Sequence, residues 1–246
     1  MMLEHKSTAS ISLLFAKLSN LAYNDNQSFE KFGYKSICIN KNNSQAYFLY
    51  NDTDVIVVCR GTRPTKLADI ISDIKFALVP SNYGIGHVHA GFKEKVNNIW
   101  GDLGDLLLKY APSRRVWLTG HSLGAAMATI IAIRCHRFKE LPKPLLYTFG
   151  SPKVGDKEYV QSLNSLNILH VRWVNNADII TRNPVYPYWH HGILMYFDHD
   201  GNIANMTALQ IAKDRIKGFF VGLSKGEVNF FVNHDMTRYI RNLEKL

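Results

Sequence analysis

Cysteine is scarce in this chain: three residues in 246, Cys38, Cys59 and Cys135, far apart and with no C-x-x-C pair. An odd, dispersed set argues against a disulfide framework and fits a reducing compartment. Long apolar runs are missing too, since none approaches the ~20 residues that a membrane-spanning helix needs. The chain therefore reads as soluble. Its N-terminus makes a poor signal peptide, because Glu4 interrupts the basic region, "ISLLFA" is short, and Lys17 closes it. A cytoplasmic location is the resulting expectation, with export lacking a cleaved signal left open. No repeat, low-complexity tract or long linker divides the sequence. Blocks of like charge are absent as well, although 29 Lys and Arg against 20 Asp and Glu give a formal net charge of +9. Scattered charge without a zinc-finger or RNP-type pattern argues against a nucleic-acid partner. A basic surface suits an anionic membrane or acidic lipid headgroups equally well.

What is present is an alternation of strands and helices. At 46% hydrophobic and 20% charged residues, the composition allows a sizeable core. The segments "VIVVCRGT" (55–62), "RRVWLTG" (114–120), "PLLYTFGSP" (144–152) and "ILHVRWVNNAD" (168–178) contain short apolar runs of the kind buried on both faces of a parallel sheet. Helical patterns at 92–110, 123–138 and 155–165 lie between them, and "HHGILMYFDHDGNI" reads as strand, turn and return. An N-terminal helix is expected with Ile11, Leu14, Phe15, Leu18 and Leu21 on one face. One α/β domain over residues 1–246 is the reading, a mostly parallel sheet with helices on both sides. Chemistry then belongs at the carboxyl ends of the strands.

"LTGHSLGAA" (118–126) places Ser122 between strand and helix, flanked by Gly120 and Gly124. A serine attacks an acyl carbon only if it is exposed on a turn, has a base for its proton, and meets N–H donors at the developing oxyanion. The G-x-S-x-G turn supplies the turn and the donors, the N–H of Leu123 among them. Helix capping is the plainer role for Ser122. A triad needs an acid and a histidine further along. Asp156 opens a helix, and Asp198 and Asp200 belong to a hairpin turn whose D-x-D-x-N spacing lacks the rest of a calcium loop. Asp178 lies directly beyond a buried strand, with an Asx-type turn as its alternative role. Among ten histidines, His87 and His89 form an H-x-H without a third ligand. His136 reads as a surface residue, and His190 and His191 as loop residues. His234 precedes a C-terminal helix carrying Met236, Tyr239, Ile240 and Leu243, a position from which it can reach Ser122.

Together these motifs resemble the class 3 lipase family, the fungal-lipase-like α/β hydrolases, from about residue 10 to the C-terminus. The resemblance rests on "CRGT", "HVHAGF", "TGHSLGAA", "YTFGSPKVG", "VRWVNNADIITRNP" and "NHDMTRY" in one order. It implies an α/β-hydrolase fold with a helical lid, a Ser122–Asp178–His234 triad, and an oxyanion hole from Thr62 and Leu123. It also makes His89 to Phe92 structural and implies no metal or organic cofactor. The implied activity is hydrolysis of lipid acyl esters, as in a triacylglycerol lipase, with transient contact with a lipid or membrane interface. A phospholipase or acyltransferase with the same triad, and a non-catalytic lipid-binding protein, are the alternatives. The family places its lid at 63–75, where Leu67, Ile70, Ile71 and Ile74 share a face. Here Ile70 follows Asp69, where the family often has tryptophan. The segment 204–226 reads as an amphipathic insertion, with Leu209, Ala212, Ile216, Phe219, Phe220 and Leu223 as an apolar stripe flanked by Lys213, Arg215 and Lys217. Packing of that helix on its own domain is expected ahead of a place in a membrane interface.

Overall fold

The computed structural model describes residues 2–24, 28–62, 77–82, 85–136, 138–224 and 232–246, so the lid expected at 63–75 lies outside the described residues. The apolar runs form the middle of an eight-stranded sheet. Its strands are β1 (Lys35–Lys41), β2 (Ser44–Tyr50), β3 (Asp54–Cys59), β6 (Arg115–His121), β7 (Leu145–Phe149), β8 (His170–Asn175), β9 (Ile193–Phe197) and β10 (Ile203–Ala204), adjacent in that order. Pairing from β3 through β9 is parallel, while β1, β2 and β10 pair antiparallel at the two ends. A separate antiparallel pair is formed by β4 (Leu78–Pro80) and β5 (His87–His89).

Every residue of β3 and of β8 is buried, as the parallel centre of a two-sided sheet requires. On one face Val57, Leu118 and Leu146 pack with α2 (Ala90–Tyr110) and α3 (Leu123–His136). The helix α3 is buried from Gly124 to Cys135, which explains its lack of any polar stripe. On the other face Ile56, Tyr147 and Trp173 pack with α1 (Met2–Leu21) and α6 (Met236–Leu243). Phe15 and Leu18 of the expected N-terminal face are buried there. Register then decides where the loops emerge. Cys59 pairs with Gly120, Gly120 with Thr148, and Phe149 with Trp173, so the residues following β3, β6, β7 and β8 leave the sheet along one edge. The remaining α-helices among the described residues are α4 (Lys157–Ser165), capped by the expected Asp156, and α5 (Ala208–Ser224). No described helix is long and apolar enough to cross a membrane.

The packing of α5 corrects one expectation. The helix does rest on its own domain, but through Ile211, Asp214 and Gly218. The stripe assigned inward is exposed instead wherever its side chains are described: Leu209 at 67%, Ile216 at 60% and Phe220 at 61%, with Ala212 and Phe219 also exposed, while the Leu223 side chain lies outside the described ones. Asp214 explains the choice of face. Its buried carboxylate accepts hydrogen bonds from Tyr196 Oη (2.8 Å), Asn176 Nδ2 (2.7 Å) and His199 Nδ1 (2.6 Å), and these polar contacts outweigh the pull of a few apolar side chains on orientation.

Candidate active site

Ser122 occupies the turn between β6 and α3 with φ 59°, a left-handed backbone that non-glycine residues rarely adopt outside strained sites. Its N–H donates to the Phe149 carbonyl at 3.1 Å, and its own carbonyl starts the helix by accepting from Ala125 N at 3.0 Å. The flanking glycines are demanded by space. A Cβ on Gly120 would collide with the Gly124 carbonyl group, and one on Gly124 with the Cys59 carbonyl at the end of β3. The loop after β3 is equally close, since a Cβ on Gly61 would meet the His121 carbonyl oxygen at 2.5 Å. Thr62 follows Gly61 in that loop, and Leu123 is the first residue of α3. The helix N-terminus adds positive potential beside the serine.

The structure brings Asp178 and His234 into contact. Asp178 is fully buried and His234 is 3% exposed. Nδ1 of His234 lies 3.0 and 2.9 Å from the two Asp178 carboxylate oxygens. A carboxylate only accepts, so Nδ1 carries the hydrogen and Nε2 is left as the bare acceptor in the neutral ring. Nε2 is buried and has no hydrogen-bond partner among the described residues, including Ser122. The Asx-type turn considered for Asp178 is present beside the histidine contact, because Oδ1 also accepts from Ile180 N at 2.9 Å. The link to the elbow is indirect but short. His121, the residue before Ser122, bonds the His234 carbonyl through Nε2 at 2.7 Å, and the two rings stack obliquely with centroids 4.3 Å apart. Gly150, at φ 55°, completes the fit. A Cβ there would meet the His234 ring at 2.8 Å and Asp178 Oδ2 at 2.9 Å.

The sequence assigned no supporting role to Tyr23, His121 or Tyr239. His121 donates to a carbonyl through Nε2, so its Nδ1 accepts from Tyr23 Oη at 2.8 Å. Burial and neighbouring His234 hold its pKa well below 6.5. Tyr239 donates to Asp178 Oδ2 at 2.6 Å while accepting from Asn175 N at 3.1 Å. Its signal was the apolar period of α6, which marks burial and is silent on the hydroxyl. The other candidates serve structure. His89 caps α2 and stacks on Phe92, with burial pushing its pKa down to about 4. His87 bonds Asp156, His190 bonds the Thr181 carbonyl, His191 meets His170 at 3.0 Å, and His136 is exposed. Asp198 accepts from Asp200 N and Asn202 N within its turn. The described cysteines are free. An apolar groove of about 630 Å³ along β9, β10 and the start of α5 is lined by none of Ser122, Asp178 and His234.

Comparisons with known proteins bear on the family and the fold. Residues 56–187 match the family model for lipase (class 3). The toxin TseL of Vibrio cholerae is 29% identical over 184 residues, covering 57% of this chain and 28% of that protein. Phospholipase A1-IIdelta of Arabidopsis thaliana is 40% identical over 101 residues, covering 38% of this chain and 22% of that protein. The chain thus spans less than a third of either relative's length. The triacylglyceride lipase of Rhizomucor miehei superposes with a TM-score of 0.69 at 24% identity, over 78% of this chain and 80% of that structure, a likeness of fold. With the family model covering more than half of its length, the chain belongs to the class 3 lipase family.

Proposed function

We propose that this protein is a serine carboxylic ester hydrolase acting on the acyl esters of lipids. One observation carries the reading: the imidazole that Asp178 orients keeps a bare Nε2 in the same strand-end cluster as a positive-φ serine. In the proposed reaction Nε2 of His234 takes the Ser122 hydroxyl proton as the oxygen attacks the ester carbonyl. Asp178 fixes the tautomer and stabilises the imidazolium. The backbone N–H groups of Thr62 and Leu123 receive the negative charge of the tetrahedral intermediate. Its collapse expels the alcohol, which leaves with the proton from Nε2 and an acyl-Ser122 behind. Water, deprotonated by His234, then attacks the acyl group, and the second tetrahedral intermediate collapses to the carboxylic acid as His234 returns that proton to Ser122 Oγ. No step calls for a metal or organic cofactor.

Triacylglycerol is the proposed substrate. The second reading, a phospholipase using the same residues, is favoured by the formal charge of +9 and by the similarity to a phospholipase A1. The test compares the protein with Ser122→Ala on a soluble short-chain ester, a triacylglycerol emulsion and phosphatidylcholine vesicles. Turnover in the variant is expected to fall by roughly 10⁴-fold to 10⁶-fold. Equal turnover in both proteins rejects the triad, and the preferred surface separates lipase from phospholipase.

A further inference from the structure

The outer face of α5 has no role in the arrangement above, yet its chemistry is specific. On a 3.6-residue period Leu209, Ile216 and Phe220 align within about 40° of one another, opposite the anchoring Ile211, Asp214 and Gly218. Phe219, 43% exposed and edge-on to Phe220 at 5.7 Å, widens this stripe on one side. Lys213 and Lys217, both exposed, border it on the other. The only acid in α5, Asp214, is buried beneath the helix in hydrogen bonds from Tyr196, Asn176 and His199. Among the described residues of α5, the exposed surface is therefore mostly apolar, with Gln210 as its neutral polar side chain and only positive charge. We propose that this face of α5 docks on an anionic phospholipid bilayer, with the phenylalanines among the acyl chains and the lysines at the headgroups. The charge of the whole chain has the same sign.

The helix is well placed for such a role. Arg215 Nε donates to the Asn176 carbonyl at 3.1 Å, and Asn176 Nδ2 donates to Asp214 at 2.7 Å. A Cβ on Gly218 would collide with the Asn176 amide. Asn176 stands two residues before Asp178, so α5 is fixed to the loop carrying the candidate acid. Docking through its far side seats that loop near the bilayer. Only the purpose of docking rests on the proposed hydrolase reading; the binding is testable without it.

The experiment uses full-length protein carrying Ser122→Ala, which leaves vesicles intact. Co-sedimentation is measured on phosphatidylcholine vesicles and on equal mixtures of phosphatidylcholine and phosphatidylglycerol. Binding to the mixture is expected to exceed binding to phosphatidylcholine about tenfold or more, and Ile216→Glu with Phe220→Glu to remove that binding. Lys213→Gln with Lys217→Gln should weaken the mixture alone, again about tenfold, and carries the test should the glutamate pair unfold. With Ser122 restored, both pairs should keep parental turnover of a soluble ester. The proposal is overturned if the variants bind like the parent, if the parent binds both vesicles equally, or if ultracentrifugation finds a dimer that the glutamate pair dissociates. Vesicle binding without any Ser122-dependent hydrolysis would remove the catalytic reading and leave the docking surface standing.

Discussion

Tyr239 shows how much of the proposed active site is set by one hydroxyl. It donates to Asp178 Oδ2 at 2.6 Å and accepts from Asn175 N at 3.1 Å, tying the end of β8 to the acid. Burial, together with the adjacent Asp178 carboxylate, pushes the phenol pKa well above 10, so it remains a donor throughout the working range of a histidine base. Tyr239→Phe keeps the ring and removes both bonds. The orphaned buried N–H costs about 1–3 kcal/mol of stability. The less restrained carboxylate should lower kcat about tenfold, equivalent to ~1.4 kcal/mol, with KM unchanged because the hydroxyl faces Asp178 and not the substrate. Steady-state kinetics on a soluble ester and a thermal melt check both parts. An unchanged kcat would reduce Tyr239 to a packing residue.

Among the elements, the closeness of α3 to the end of β3 brings the proposed oxyanion donors together. A Cβ at Gly124 would lie 2.8 Å from the Cys59 carbonyl carbon and 2.9 Å from that of Arg60, backbone that the sheet holds in place. Gly124→Ala must therefore push the first turn of α3 away, separating Leu123 N from Thr62 N. A loss of kcat of roughly 100-fold is expected, the scale of one oxyanion donor, with about 1–3 kcal/mol of overpacking strain. Gly101→Ala, in open space on α2, should gain about 0.5–1 kcal/mol and leave kcat alone. Equal effects at the two sites would reject the close-approach argument. The same elements show what could be read without coordinates. β3, β6, β7 and β8 were legible as continuous apolar runs, and the residues beyond them could be ranked as Ser122 and Asp178. β1 was not, because an edge strand with one buried residue, Ile39, leaves no apolar run. The facing of α5 was misread for a different reason. Periodicity says which residues share a face, while the buried Asp214 decides which face meets the domain. His121 was given no role because the variable position of a motif carries no marker for its bond to the His234 carbonyl.

Over the whole molecule, burial lowers the pKa of five described histidines. Burial pushes His89 and His191 down to about 4, and His121, His170 and His190 well below 6.5. In the unfolded chain these groups titrate near 6.5. Below that pH the unfolded state binds more protons than the folded state, so stability falls as pH falls, by up to about 1.4 kcal/mol per pH unit for each histidine. Asp54 and Asp214, whose hydrogen bonds hold their pKa below 3.8, also lose their contribution on acidification, but only around and below that value. The histidines therefore act first, in a window from about pH 6.5 down to 4, and several together can consume the ~5–15 kcal/mol that holds an ordinary domain folded. Thermal melts of Ser122→Ala at constant ionic strength should show Tm steady above pH 7 and dropping steeply between pH 6 and 4.5. A Tm that stayed flat to pH 4.5 and fell only below it would assign acid unfolding to the carboxylates and show that the buried histidines take up protons without opening the fold.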